Sequence, residues 1–113
     1  MIRTLPELAN GLNTIFPTRY SHFTSKTALP YICYIDTGHE NLAADNTIII
    51  EGTFVDIEFY SEDKDLTGES KIKTLLNLNE LPYTQSPTIY IESEGFFQSI
   101  FSIKLLNKPM EVI

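Results

Sequence analysis

The chain is expected to fold as an α+β protein: one mostly antiparallel β-sheet with two helices packed on one face. Three observations predict this. Thr47 to Tyr60, TIIIEGTFVDIEFY, is the longest β-like run, rich in the β-branched and aromatic residues that suit a pleated, half-buried surface. Phe96 to Leu106 is a second long alternating run, entered through a turn. Two helix-patterned stretches, Thr4 to Phe16 and Leu66 or Thr67 to Asn79, stand apart from the strands in the order helix, strands, helix, hairpin. That order suits one sheet with helices layered against it.

The first helix opens with Thr4 and Glu7 at capping-box spacing, and Pro6 is tolerated in a first turn. Leu5, Leu8, Leu12, Ile15 and Phe16 fall near one stripe, and Pro17 stops the helix. Arg19 to Thr24 reads as a short strand. Tyr31 to Ile35 reads as a compact apolar strand that the Asp36-Thr37-Gly38 turn signal ends. Asn41 to Ala44 is a further short strand leading to a turn at Asp45-Asn46. In the long run, Val55, Ile57 and Phe59 share one face while Phe54, Asp56, Glu58 and Tyr60 share the other. Gly52 marks a bulge or bend.

Ser61 to Asp65 is expected to be a solvated loop. In the second helix Leu66, Ile72, Leu75, Leu76 and Leu78 supply the buried side, Glu69 and Lys73 form an i,i+4 pair, and Gly68 marks a frayed first turn. Pro82 ends this helix. Thr88 to Glu92 and Phe96 to Leu106 form a hairpin about Ser93-Glu94-Gly95. Phe97, Ser99, Phe101, Ile103 and Leu105 share one face of its second strand. The tail Asn107 to Ile113 carries no pattern.

The 113 residues are read as one domain, 1–113, long enough to bury a core. A formal net charge of −7 disfavours unaided binding to nucleic acid or to anionic membranes. Cys33 is alone, so no internal disulfide is expected, and its apolar neighbours point to a buried thiol. Met1-Ile2-Arg3 leads into Leu, Pro and Glu without a signal-peptide core, and no run is long enough to span a bilayer.

Residue chemistry by itself declares no activity. Asp36, His39 and Glu40, with His22 elsewhere, have metal-ligand types but match no zinc spacing, so a polar turn is the simpler reading. Glu62, Asp63 and Asp65 lack the register of a calcium loop. Asp56 and Glu58 share a strand face about 7 Å apart, within glycosidase geometry, but no cleft or stacking Trp accompanies them. No cofactor, metal or catalytic residue is expected. The surplus of aromatics, with Tyr31, Tyr34, Phe54, Tyr60, Tyr90, Phe96 and Phe97 too many for one small core, points to a subunit interface with a polar rim.

Several stretches carry a resemblance: LPYICYIDTG, NLAADN with the strand ending VDIEFYSEDKD, the helix SKIKTLLNLNELPYT, and the hairpin IYIESEGFFQSIFSIKL. Over residues 29 to 106 the chain resembles small neck and tail proteins encoded in the structural-gene clusters of siphophages and prophages of Gram-positive bacteria, of tail-completion, tail-terminator or tail-to-head joining type. The resemblance implies a structural assembly protein and no enzyme. It implies a ring, commonly hexameric, at the head-proximal end of the tail, with other copies of itself and tail-tube and neck or head-completion proteins as partners. The implied location is the virion tail or neck, and the host cytoplasm before assembly. The expected interface residues are Phe54, Tyr60, Tyr90, Phe96, Asp36 and His39. The alternative is a small-ligand or peptide-binding module that uses the aromatic sheet face.

Overall fold

The computed structural model describes residues 1–44 and 48–111. The elements in order are α1 (Leu5–Asn13), β1 (Thr18–Tyr20), β2 (Tyr31–Ala44), β3 (Ile48–Ser61), α2 (Leu66–Leu78), β4 (Tyr83–Gln85), β5 (Ile89–Ile91) and β6 (Phe96–Glu111). The sheet runs β1-β2-β3-β6-β4, and β5 also pairs with β6. Among the described residues only the β1–β2 pairing is parallel. This is the expected α+β fold with its largely antiparallel sheet.

Both helices cover one face. Leu8 and Leu12 of α1 and Ile72 and Leu76 of α2 share a buried cluster with Ile32, Val55, Ile57, Phe59, Phe101, Ile103 and Leu105. Val55, Ile57 and Phe59 are the face that the alternation assigned to a core, and Phe101, Ile103 and Leu105 share one of the two apolar faces read in the second long strand. Phe59 and Phe101 are the largest fully buried side chains, and Phe16 stacks on Phe59 at 5.3 Å. The capping box forms as expected: the Glu7 amide donates to Thr4 Oγ1 at 3.3 Å, and Glu7 Oε1 accepts from the Thr4 amide at 3.1 Å.

Several boundaries differ from the sequence reading, each for a physical reason. β2 is one strand of 14 residues, where a strand, a turn and a second strand were expected. The Asp36-Thr37-Gly38 signal is a bulge: Asp36 faces Val55 and Gly38 faces Phe54, so Thr37 is the extra residue. The anticipated turn at Asp45-Asn46 lies outside the described residues. Gly52 is not a bulge, since it keeps register with Glu40 and with Leu106. Its role is space, because a Cβ there would come 2.8 Å from Lys104 Cε. The Lys104 stem crosses Gly52 and brings its ammonium 3.4 Å from Glu40 and 5.1 Å from the Phe54 ring. The irregularity lies further along, where β6 carries one residue more than β3 between Asn107 and Met110. Pro109, without an amide hydrogen, falls in that interval. The unpatterned tail is therefore strand as far as Glu111.

The Arg19 to Thr24 strand is cut to Thr18–Tyr20 because Ser21 adopts φ 64°, which reverses the chain. α2 ends in a similar way. Glu80 has φ 54°, and the Leu81 amide bonds to Leu76 O at 2.9 Å, the closing bond of a left-handed cap. Glycine fits that position without a Cβ penalty. Glu80→Gly is expected to stabilise the fold by about 1 kcal/mol, which a urea midpoint with unchanged slope would register.

α2 is turned differently about its axis than expected. Its buried residues are Gly68, Glu69, Ile72 and Leu76, while Leu66 and Leu78 are 66% and 75% exposed. Glu69 consequently does not pair with Lys73 and points at the sheet. Gly68 is not a frayed turn either. Asp65 caps the helix by accepting from the Gly68 amide at 2.9 Å, and Gly68 lies against the Phe59 ring.

The chain measures 53 × 27 × 23 Å with a radius of gyration of 15.6 Å. A compact domain of this size is expected near 13 Å. The excess is an arm: β2, β3 and β6 continue past the helices as a three-stranded ribbon. Among the described residues no strand pairs with the outer edge of β2 beyond Tyr34 or of β6 beyond Ile103.

Candidate interface on the open sheet face

The face of the sheet opposite the helices follows from register. Tyr31, Tyr60 and Gln98 form one row, Cys33, Glu58 and Ile100 the next, and Ile35, Asp56 and Ser102 the third. At the Tyr31 end, aromatic rings gather. Tyr60 lies 5.1 Å from both Tyr31 and Phe96, and Phe23 stands edge-on to Tyr31 at 5.0 Å. The connection from Ser21 to Pro30 brings Phe23 over this end and encloses a concavity of about 660 Å³. Phe23, Tyr31, Cys33, Tyr60 and Phe96 line it, with Lys26 and Glu94 among the polar residues around it. This connection is what covers the second face, and only in part.

Polar groups on the face are tied into short chains. The Gln98 amide donates to the Tyr60 hydroxyl at 3.0 Å, which donates in turn to Glu58 at 3.1 Å. Ser102 donates to Asp56 at 2.7 Å. Burial pushes the Tyr60 hydroxyl well above the ordinary tyrosine range. Burial likewise raises the Glu58 carboxyl, the Tyr60 hydrogen bond opposes that, and the charge of Asp56 adds to it. Cys33 is buried, and burial with the nearby Glu58 charge pushes its thiol up to about 11. A thiol held neutral in this way is a poor nucleophile.

Because the folded state holds the Glu58 proton more tightly than the unfolded chain, its contribution to stability is full below the ordinary value of 4.5. That contribution is lost as pH rises through the raised value. Glu58→Gln should therefore raise the melting midpoint at neutral pH, by less than about 5 °C for a partly buried group. The gain should vanish in acid, as scanning calorimetry across pH would reveal.

The expected interface residues divide between the two faces. Phe54, Tyr60 and Phe96 lie on the open face. Phe54 stands six residues along β3 from Tyr60, roughly 20 Å away. Tyr90 pairs with Phe97, which shares the side of Ser99 and Phe101, so it belongs to the helix-side face and is 52% exposed there. Asp36 and His39 also sit on that side, at the bulge. His39 Nε2 is 3.2 Å from Asp36, which also accepts from the Tyr20 hydroxyl. That hydrogen bond, foremost, lowers the Asp36 carboxyl below its usual range. Glu40 turns to the opposite face to meet Lys104, so the bulge does not gather Asp36, His39 and Glu40 into one ligand set. Among the described residues no three His, Cys, Asp or Glu side chains are grouped to hold a metal ion.

Sequence reasoning overlooked Phe23, whose position depends on the path of a connection without periodicity. It also overlooked the frame that Cys33, Ile35 and Ile100 make around the two carboxylates, which exists only once the register is set. A second concavity, of about 730 Å³, lies on the helix side between Thr14, Ile15, Leu66, Lys71 and Leu78. Among the described residues no helix is long and apolar enough to cross a membrane. No family model and no curated protein sequence matches this chain.

Proposed function

We propose that the protein is a structural assembly subunit of a phage or prophage tail neck, which forms or joins a ring at the head-proximal end of the tail. The observation that carries this reading is a sheet finished on one face only and prolonged into an arm whose two edges are unpaired among the described residues. A free edge and a half-covered aromatic face are costly to leave in water and are what a subunit offers to its neighbours. The resemblance over residues 29 to 106 supplies the context of the neck. The net charge of −7 suits a passage that DNA traverses without adhering. On this reading the protein works in the virion neck, catalyses nothing, and contacts copies of itself and the tail-tube and neck or head-completion proteins.

The ring-lining and partner faces would be heterologous, since a rotation that closes requires two complementary surfaces on each copy. Light scattering over a concentration series, with and without tail-tube protein, tests this. A closed oligomer, alone or induced by the tube protein, is the expected result. A monomer that ignores the tube protein at high concentration would sink the reading. The concavity beneath the Ser21–Pro30 connection favours a second reading, a ligand- or peptide-binding module, because its size and aromatic lining suit a small guest. A subunit contact that closes over Tyr60 and Phe96 would count against it.

A further inference from the structure

The two edges of the arm are built differently. The outer edge of β2 is taken by β1 only as far as Tyr34. From Gly38 opposite Phe54 to Ala44 opposite Ile48 the strand then keeps unbroken register with β3, and among the described residues nothing pairs with it from outside. This stretch, GHENLAA, contains no lysine, arginine or proline. The outer edge of β6 in the arm carries Lys104, Lys108 and Pro109, residue types that keep a strand edge from being extended. Parity decides which groups the open edge of β2 offers. The Ile32 amide donates to Pro17 O at 2.9 Å and Tyr34 O accepts from the Ser21 amide at 2.8 Å, so Ile32 and Tyr34 turn their main chain outward. The extra residue at Thr37 shifts that parity. Beyond it His39, Asn41 and Ala43 turn their N–H and C=O groups outward, while Gly38, Glu40, Leu42 and Ala44 bond to β3. His39 and Asn41 are exposed.

We propose that this edge pairs with the same edge of a second copy of the chain, the two β2 strands running antiparallel about a two-fold axis at Asn41. Shape selects the partner. β1 and β4 widen the body of the sheet beyond the arm on either side. Two copies lying in the same direction would therefore bring β1 of one against β4 of the other before their arms met. Copies lying in opposite directions bring arm to arm and keep their bodies at the two ends. Antiparallel pairing of β6 with itself about Leu106 would set Lys104 opposite Lys108, with Pro109 lacking an amide to give. β2 meets neither obstacle. Centred on Asn41, its register sets His39 opposite Ala43 and Glu40 opposite Leu42, so no like charges face each other. About six main-chain hydrogen bonds form across the axis. The pairing stops short of Tyr34, where β1 occupies the edge. This inference goes beyond the ring, since an isologous contact closes at two copies and needs no tail protein.

Amide hydrogen exchange on the natural chain over a concentration series, without tail proteins, reads the pairing directly. The amides of His39, Asn41 and Ala43 are expected to gain about tenfold or more in protection as concentration rises. Those of Glu40 and Leu42, bonded to β3, should be protected throughout. Light scattering over the same series should show a dimer. Asn41→Pro removes an N–H that points away from β3, so the ladder survives while the dimer weakens by about tenfold or more. Asn41→Lys sets a charge opposite itself and should act alike, which separates loss of pairing from any loss of fold in the proline variant. Mild oxidation of Asn41→Cys should link two copies, because hydrogen-bonded partners stand about 5.5 Å apart at Cα, within disulfide reach. Leu106→Cys, on the guarded edge, should not link. Free exchange of the His39, Asn41 and Ala43 amides at the highest concentration, a dimer indifferent to both Asn41→Pro and Asn41→Lys, or equal cross-linking through Leu106→Cys would each overturn the proposal. A natural chain that stays monomeric alone yet closes into a ring with tail-tube protein would sink the arm pairing and leave the ring reading standing. A chain that stops at two copies with that protein present would do the reverse.

Discussion

Glu69→Ala is expected to lower stability by about 3 kcal/mol, because it removes a buried carboxylate together with its hydrogen bonds to two half-buried polar side chains. Glu69 is 3% exposed although it carries a charge. Its carboxylate accepts from the Gln85 amide at 2.7 Å and from Thr88 Oγ1 at 3.4 Å, and Lys64 Nζ stands 3.8 Å away. Gln85 also donates to Ser99 on β6. One side chain thus ties the first turn of α2 to β4, to the start of the hairpin and to the central sheet. At about 4 °C per kcal/mol for a chain of this length, the melting midpoint should fall by roughly 12 °C. Lys64→Ala should cost under about 1 kcal/mol, since the lysine is half in water. Urea unfolding of both variants decides the matter: equal small losses would mean that the network contributes little.

Gly68→Ala should destabilise by about 2 kcal/mol, although an alanine inside a helix ordinarily gains about 1 kcal/mol over glycine. Space decides the sign. The added Cβ would lie 2.6 Å from Phe59 Cζ and 2.7 Å from Asp65 Oδ2. Phe59 is fully buried and stacked on Phe16, so its ring cannot retreat without disturbing the core. Asp65 would also lose its cap geometry, typically worth about 1 kcal/mol. A midpoint that rises would mean that α2 shifts freely over the sheet and that the close approach is incidental.

These two neighbours show where local pattern stops informing. The residues at 68, 69, 72 and 76 form the contact stripe of α2, and two of the four are a glycine and a glutamate. A reading based on hydrophobicity selects Leu66, Leu75 and Leu78 instead. Leu66 and Leu78 prove exposed, and Leu75 is only partly buried. In β3 the same reasoning succeeds without adjustment, because a strand facing a core on one side must alternate. Val55, Ile57 and Phe59 are buried, and Phe54 is exposed. The aromatic surplus was correctly too large for one core, yet only three of the six expected interface residues share the open face. Parity along a strand is readable, but which face a short strand such as β5 presents depends on its register with β6.

The amino-acid sequence by itself determined the α+β class, the two helices, the capping box at Thr4, the two-sided character of the long strand and the buried thiol. All of these follow from interactions within a few residues or from strict periodicity. Only the tertiary structure decided the continuity of β2 through its bulge, the arm, the burial of Glu69 and the gathering of Phe23, Tyr31, Tyr60 and Phe96. Each of these depends on register between strands distant in the chain or on the rotation of a helix about its axis. Those are fixed by the summed packing of the whole core, and no local window contains them.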